Sequence, residues 1–253
     1  MRLRLVYALA ATLLFGALSA SDLTITFTST KKGLGGSATP GTEIHYYASS
    51  FLMTRTVEAK QDALVDFQQG ISYTINHPKK TIAKMSFDDA MAVMDSMNQT
   101  QNPAANKMMA SMFGDPNAIK VTKLAAEKIA GRDCQAWQIS VGKLTMELAA
   151  DPTLKAPMPE TAYARMMKSR AAQMAQSGPM GATYKRLYEE MAKVKGIPLR
   201  THMTGLMGVD IATLATRIET GPIPASTFVL PAGYTVEDMG KKMREKMAKA
   251  PAP

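Results

Sequence analysis

The residues that could do chemistry in this chain are its single cysteine, its three histidines and its many methionines. His45, His77 and His202 fall on separate segments, without the i, i+4 pairing that places two zinc ligands on one helix face. Cys134 follows Asp133 and has no histidine nearby in sequence, whereas a nucleophilic cysteine needs a base and a stabilised thiolate. We therefore predict surface or turn histidines, a small buried core cysteine, no cofactor and no enzymatic activity.

The chain has 21 methionines, several of them at helical spacing. In one hypothesis they form an adaptable lid over a lipid cavity, because flexible thioethers repack around apolar guests. A second hypothesis is a soft-ligand site for Cu(I), although steps of three residues spread over a broad helix face and disfavour a tight metal site. The third is that they only pack the core. The candidate ligand-binding residues are Met91, Met94, Met97, Trp137, Met166 and Met174, and we assign no metal ligands.

Alternating apolar and polar residues predict strands in both halves of the chain. Residues 22–85 have the pattern of about six antiparallel strands joined by short turns. Residues 121–151 have the pattern of a β-meander, in which Trp137 lies on one face and Cys134 on the other. A further hairpin follows, and residues 223–234 are predicted to be a final edge strand because they contain prolines.

Three regions change to the 3.6-residue period of helices. The first begins after a Ser86 cap and covers residues 87–98, and a helical hairpin covers residues 159–176 and 181–195. The tail from residue 236 has methionines four apart among lysines and arginines. This tail could be an amphipathic helix that lies on a membrane surface, or a solvated helix that frays toward the C-terminus.

The N-terminus has the form of a secretory signal peptide. Arg2 and Arg4 precede an apolar run that ends in small residues, and the run is shorter than the about 20 residues that a spanning helix needs. The formal net charge of +9 suits peripheral contact with anionic envelope surfaces, and nucleic acid is not expected outside the cytoplasm. One cysteine excludes an internal disulfide. We predict a periplasmic or secreted monomer.

Several short motifs together resemble a known family. They are IAGRDCQAW at residues 129–137, GIPL at 196–199, IP at 223–224 and PAGY at 231–234. With the signal peptide, the meander and the helical insertion, the chain resembles a family of exported bacterial domains of unknown function (domain of unknown function 4412 type), related to the LolA and LolB lipoprotein carriers. The resemblance implies an incomplete, curved antiparallel barrel closed by helices, with a cavity that takes acyl chains.

The predicted fold class is therefore α+β, with a curved antiparallel sheet of about ten strands covered by a Met-rich helix and a helical hairpin. The predicted divisions are a signal peptide at 1–21, a half-barrel domain at 22–235 with a helical insertion at 159–195, and a basic tail at 236–253. The predicted function is non-catalytic binding or carriage of a hydrophobic ligand, which could be a lipid, an acyl chain or a lipoprotein. The alternatives are an envelope Cu(I)-binding protein and an interaction domain with no small ligand.

Overall fold

The structure is a computed structural model that describes residues 21–32, 36–92, 114–115, 117–175, 181–205, 208 and 210–248. The predicted signal peptide up to residue 20 lies outside the described residues, as do Met94, Met97 and the last residues of the tail.

Thirteen strands form one sheet. They are β1 (Leu23–Lys32), β2 (Thr39–Tyr47), β3 (Phe51–Thr56), β4 (Gln61–Asp66), β5 (Ile71–Asn76), β6 (Thr81–Ser86), β7 (Ile119–Lys123), β8 (Glu127–Ile129), β9 (Arg132–Val141), β10 (Leu144–Asp151), β11 (Ile197–Thr204), β12 (Asp210–Thr220) and β13 (Thr235–Asp238). Their order is β13-β6-β5-β4-β3-β2-β1-β12-β11-β10-β9-β7, with β8 also on β9. Among the described strands, only β13 and β6 pair in parallel. Strands β13 and β7 stand at the two ends of this order and do not pair with each other, so the sheet is an open, curved half-barrel.

Four helices accompany the sheet in the described part of the chain. Helix α1 is described over residues 87–92, and the Ser86 hydroxyl caps it by accepting a hydrogen bond from the Asp89 amide at 3.0 Å. Helices α2 (Glu160–Ala175) and α3 (Gly181–Met191) form a hairpin between β10 and β11, and α4 (Met239–Ala248) follows β13. The α+β class, the open curved antiparallel sheet and the helical hairpin are thus confirmed. The sheet has thirteen strands, whereas about ten were predicted. Three of the thirteen, β7, β8 and β13, are short.

The main core lies on what we call the inner face of the sheet. Strand alternation places Leu23, Ile25 and Phe27 of β1 on this face, where they are buried in the same cluster as Met166 and Met167 of α2. Two smaller clusters complete the core. One lies on the opposite face of β3–β6, and the other joins β9 and β10 to α3. The helical hairpin is part of the core because Met166 and Met167 of α2 are buried in the main cluster. Each fully buried apolar side chain contributes about 1.5–3 kcal/mol to stability.

The prediction of an edge strand at residues 223–234 was wrong. This segment forms a 3₁₀ turn (Ala225–Phe228) followed by extended chain, and Phe228 stacks on Phe51 with ring centroids 5.2 Å apart. Pro224 and Pro231 have no N–H group to donate to a strand ladder. The edge strand is β13, directly after this segment, and it pairs with β6.

The helical hairpin leaves and rejoins the sheet at Asp151 and Gly196. The buried Asp151 carboxylate accepts hydrogen bonds from the Thr153 amide at 2.8 Å and the Thr153 hydroxyl at 2.6 Å. Arg132 Nη1 lies 3.4 Å from its other oxygen. Burial alone would raise the pKa of Asp151, but these hydrogen bonds and the arginine charge hold that pKa below its usual value. Gly196 has φ +89° and lies directly against the Asp151 carbonyl, so this junction requires glycine.

Candidate functional site

Two cavities lie beside α2: an outer cleft between the start of α2 and the β2–β3 and β4–β5 turns, and an inner pocket between α2 and strands β4 and β5. The outer cleft has a volume of about 520 Å³, opens to solvent, and is lined by residues that include Ser50, Phe67, Gln68, Met158, Pro159 and Ala162. The inner pocket has a volume of about 80 Å³, and its wall includes Phe87, Met166, Ser169 and Arg170. Ala162, Met166 and Ser169 are three or four residues apart, so both cavities lie along one side of α2.

Small residues on the sheet leave the space that the inner pocket occupies. The cross-strand register aligns one row of the inner face, which consists of Thr54, Ala63, Thr74 and Ala83. In the adjacent row, Val65 lies opposite Ser72. Ala63, Val65, Ser72 and Thr74 all line the inner pocket. Short side chains cannot reach α2 across the sheet's curvature, whereas the larger residues of β1 fill the core fully.

A polar network on β2 begins where these two rows end. Glu43, His45 and Tyr47 are two residues apart and therefore share the inner face. His45 Nδ1 is 3.3 Å from the Tyr47 hydroxyl, and His45 Nε2 is 3.4 Å from Glu43 Oε2. The ring of Phe27 lies 4.7 Å from the His45 ring, centroid to centroid. The prediction that His45 is a surface or turn histidine was wrong, and the alternation Glu-x-His-x-Tyr was the sequence signal for this network.

The surroundings of Glu43 and Tyr47 shift the pKa of each of these two groups. The hydrogen bond from His45 and the charge of Lys31, 2.8 Å away, lower the pKa of Glu43 to about 2, although burial opposes them. Burial raises the pKa of Tyr47, nearby Tyr163 adds to the increase, and the charge of Arg170 partly offsets it. Tyr47 is therefore a neutral hydrogen-bonding group inside the core.

Acid should weaken the fold through Glu43. A carboxylate whose folded pKa lies below its unfolded pKa stabilises the protein above the unfolded value, and this contribution is lost as the pH falls through the folded value. For Glu43 the window runs from about pH 4.5 down to about pH 2. We expect Glu43→Gln to remove about 1–2 kcal/mol of this pH-dependent stability.

The measurement is urea unfolding of wild type and Glu43→Gln between pH 7 and pH 2.5. Asp133→Asn is the control, because the Asp133 side chain is 89% exposed. The control curve should run parallel to that of wild type, while the Glu43→Gln curve should be flatter. A Glu43→Gln curve parallel to wild type would refute the assignment.

Two polar residues of α2 line the inner pocket. Ser169 is 1% exposed, and its hydroxyl has no hydrogen-bond partner among the described residues. Arg170 is half-buried, and its charge acts on the hydroxyls of Tyr47 and Tyr163. In the sequence they were indistinguishable from other polar residues of a helix, because only the packing of α2 shows which side chains face the pocket.

The predicted ligand-binding residues are dispersed in the structure. Met166 is buried and lines the inner pocket, and Met91 is half-exposed in α1. Trp137 lies opposite Leu148 in the cluster beneath α3, with Lys123 Nζ 6.0 Å from its ring centroid. Met166 and Trp137 thus belong to different clusters. The side chain of Met174, like Met94 and Met97, lies outside the described residues.

The remaining candidates for chemistry lie in separate parts of the structure. Cys134 is buried, as predicted, and its pKa is raised by burial and by the charge of Asp151. His77 lies in the β5–β6 turn between Asp62 and Tyr234, and His202 contacts Asp210. The described residues contain no group of three or more His, Cys, Asp or Glu side chains able to hold a metal ion. Among the described helices, none is long and apolar enough to cross a membrane.

The search of curated proteins gave no match. Solved structures that match this chain include PNGF-II, at 14% identity and a TM-score of 0.44, covering 91% of this chain and 34% of that protein, so this chain spans about a third of its length. The Pseudomonas aeruginosa MucA/MucB complex matches at 12% identity and a TM-score of 0.41, covering 87% of this chain and 59% of the other. The LolA superfamily protein NE2245 from Nitrosomonas europaea matches at 7% identity and a TM-score of 0.33, covering 83% of this chain and 91% of the other.

One family is recognised directly from the sequence. Its model matches residues 66–234, which is more than half of the 253-residue chain. The match includes the 129–137 motif, the helical hairpin and the closing PAGY segment, and it confirms the predicted family. The chain belongs to the family described as domain of unknown function (DUF4412).

Proposed function

We propose that this protein binds a hydrophobic ligand, without catalysis, in the bacterial envelope. The observation that supports this proposal is the pair of cavities along one side of α2, the inner of which lies above small residues of the sheet. The outer cleft lies within the 300–1,000 Å³ range of ligand sites. Phe67 and Met158 supply apolar surface in the outer cleft, and the predicted signal peptide supports an envelope location.

The mechanism is displacement of water from the cleft by an acyl chain. Each buried methylene contributes about 0.8 kcal/mol. Ten methylenes would therefore contribute about 8 kcal/mol, which corresponds to a dissociation constant of about 1 µM before the costs of association are subtracted. The thioethers of Met158 and Met166 can adjust to chains of different shape. We therefore expect micromolar or weaker affinity and low selectivity for chain length.

Helix α2 is held over the cavities mainly by its buried residues. Arg165 Nη2 lies 2.6 Å from Asp88 Oδ1, and the Arg165 guanidinium lies 5.6 Å from the centre of the Phe87 ring. Both partners of this ion pair are more than half exposed, at 53% and 83%, so it contributes less than about 1 kcal/mol. Met166, Met167 and Ala171 supply the larger apolar contacts. The helix can therefore adjust locally without losing its place on the sheet.

Filling the outer cleft tests the proposal. Ala162 lines the cleft, whereas Ala164 lies on the exposed side of the same helix. We expect Ala162→Trp to weaken binding of a fluorescent C16 acyl probe at least about tenfold by occupying the space of the chain. Ala164→Trp should bind the probe as wild type does.

The readout is probe titration of mature protein, with circular dichroism to verify that both variants are folded. Native mass spectrometry of protein from a periplasmic extract should also show an acyl-sized adduct on wild type. No probe binding by wild type, or equal binding by the two tryptophan variants, would reject the cleft as the ligand site.

A further inference from the structure

The inner pocket contains two hydrogen-bond donors that the described part of the protein leaves unused. The hydroxyl of Ser169 is buried and unpartnered, although most buried polar groups in proteins are hydrogen-bonded. Arg170 is half-buried and forms no ion pair with the described residues, although charges that leave water are normally paired. Adjacent in α2, these residues give one pocket both a neutral and a charged donor.

The surroundings of the pocket reinforce its positive character. Among the described residues, no acidic side chain lines it. Tyr47 and Tyr163 are close enough to feel the charge of Arg170, and burial keeps both phenols neutral. The remaining wall is mostly apolar or small, with Val65, Phe87 and Met166 contributing. An anion placed here would meet a partly desolvated guanidinium, with no carboxylate among the described lining residues.

We propose that the inner pocket binds the carboxylate of a long-chain fatty acid, whose chain extends along α2 into the outer cleft. This inference depends on the proposed acyl-binding function. A guanidinium can donate two parallel hydrogen bonds to a carboxylate, and the Ser169 hydroxyl can donate a third. Ala162 and Ser169 are seven residues apart, so the head and the chain sites are separated by roughly 10 Å along the helix.

The size of the pocket selects the kind of head group. Its volume of about 80 Å³, against about 520 Å³ for the outer cleft, favours a small head group. A carboxylate is smaller than a phosphate joined to glycerol, so the geometry favours a free fatty acid over a phospholipid.

The test compares three C16 amphiphiles by titration calorimetry on the full mature chain: palmitate, hexadecanol and 1-palmitoyl lysophosphatidic acid. Wild type should bind palmitate at least about tenfold more tightly than either of the others, because only palmitate has a charged head that fits. Arg170→Gln should reduce palmitate affinity to that of hexadecanol and leave hexadecanol unchanged. Lys168→Gln makes the same charge change at an exposed position of α2 and should alter neither.

The outcomes separate the two proposals. If wild type binds none of the amphiphiles, the acyl-binding function itself fails. If palmitate and hexadecanol bind equally and Arg170→Gln changes neither, the function stands and the carboxylate site is rejected. Preference for lysophosphatidic acid would replace the carboxylate with a phosphate head and would also overturn this inference.

Ser169→Ala distinguishes a ligand donor from a packing residue. Removing an unpartnered buried hydroxyl should leave the melting temperature of the ligand-free protein unchanged or higher. The same change should weaken palmitate binding about threefold or more, because one hydrogen bond is lost. A lower melting temperature with unchanged palmitate affinity would show that Ser169 serves packing alone.

Discussion

Gly196→Ala is expected to destabilise the protein by about 3 kcal/mol or more, or to prevent folding. Gly196 has φ +89°, and an added Cβ would overlap the carbonyl oxygen of Asp151. That oxygen belongs to the backbone of β10, so it cannot rotate away as a flexible side chain would. Ile197, the next residue, pairs with Asp151 at the start of β11. Moving the glycine would therefore disturb the point where the helical hairpin rejoins the sheet.

Gly131→Ala separates the energetic cost of the steric overlap from the cost of the left-handed backbone conformation. Gly131 has φ +80°, but nothing lies within 4 Å of a Cβ at this position. Its replacement should cost only about 1 kcal/mol, the usual penalty for a left-handed alanine. Urea unfolding followed by the fluorescence of Trp137, the only tryptophan, measures both. Equal losses in the two variants would show that the Asp151 contact relaxes freely.

Phe87→Ala is expected to cost about 3–5 kcal/mol, as for other large aromatic residues removed from a core. Phe87 is 2% exposed and joins β6, α1 and α2. Its amide donates a 2.8 Å hydrogen bond to the Gly70 carbonyl, and Arg165 lies over its ring. Truncation would leave a void beside the inner pocket that the surrounding strands cannot close.

Two companion variants make this prediction specific. Phe87→Leu should lose less stability than Phe87→Ala, because it keeps most of the apolar volume. Val229→Ala should change stability by less than about 0.5 kcal/mol, since Val229 is 66% exposed. Chemical unfolding of the three variants gives the values. A loss below about 1 kcal/mol for Phe87→Ala would mean that this region repacks and is not a fixed part of the core.

Strands with clear apolar–polar alternation and short flanking turns were predictable from the sequence. The strands predicted over residues 22–85 correspond to β1–β6, because short turns separate clear alternations. The prediction failed at residues 223–234 because apolar residues beside prolines have the pattern of an edge strand, yet Phe228, Leu230 and Tyr234 cover the sheet from outside. The true edge, β13, is TVED, and its charged residues lack the alternation of a buried strand.

The candidate site was harder to predict than the fold. Period-2 spacing could have placed His45 between Glu43 and Tyr47 on one face of a strand, but it could not reveal which face meets α2. Ser169 and Arg170 acquire their significance only from tertiary packing, because helical spacing alone allows them to face solvent. Methionine content drew attention to α1 and to Met166; of the predicted ligand-binding methionines whose side chains are described, Met166 lines a cavity and Met91 does not.

The position of β1 bears on the order in which the chain can fold during synthesis. The first strand lies in the middle of the sheet, between β2 and β12, and residue 23 pairs with residue 220. Its second neighbour is therefore synthesised only after most of the protein, and pairings of such long range form slowly. Until residues 210–220 have emerged, the central seam of the sheet cannot close. A nascent chain with this topology can therefore pair neighbouring strands from β1 through β6 early, but its central sheet is completed only near the end of synthesis.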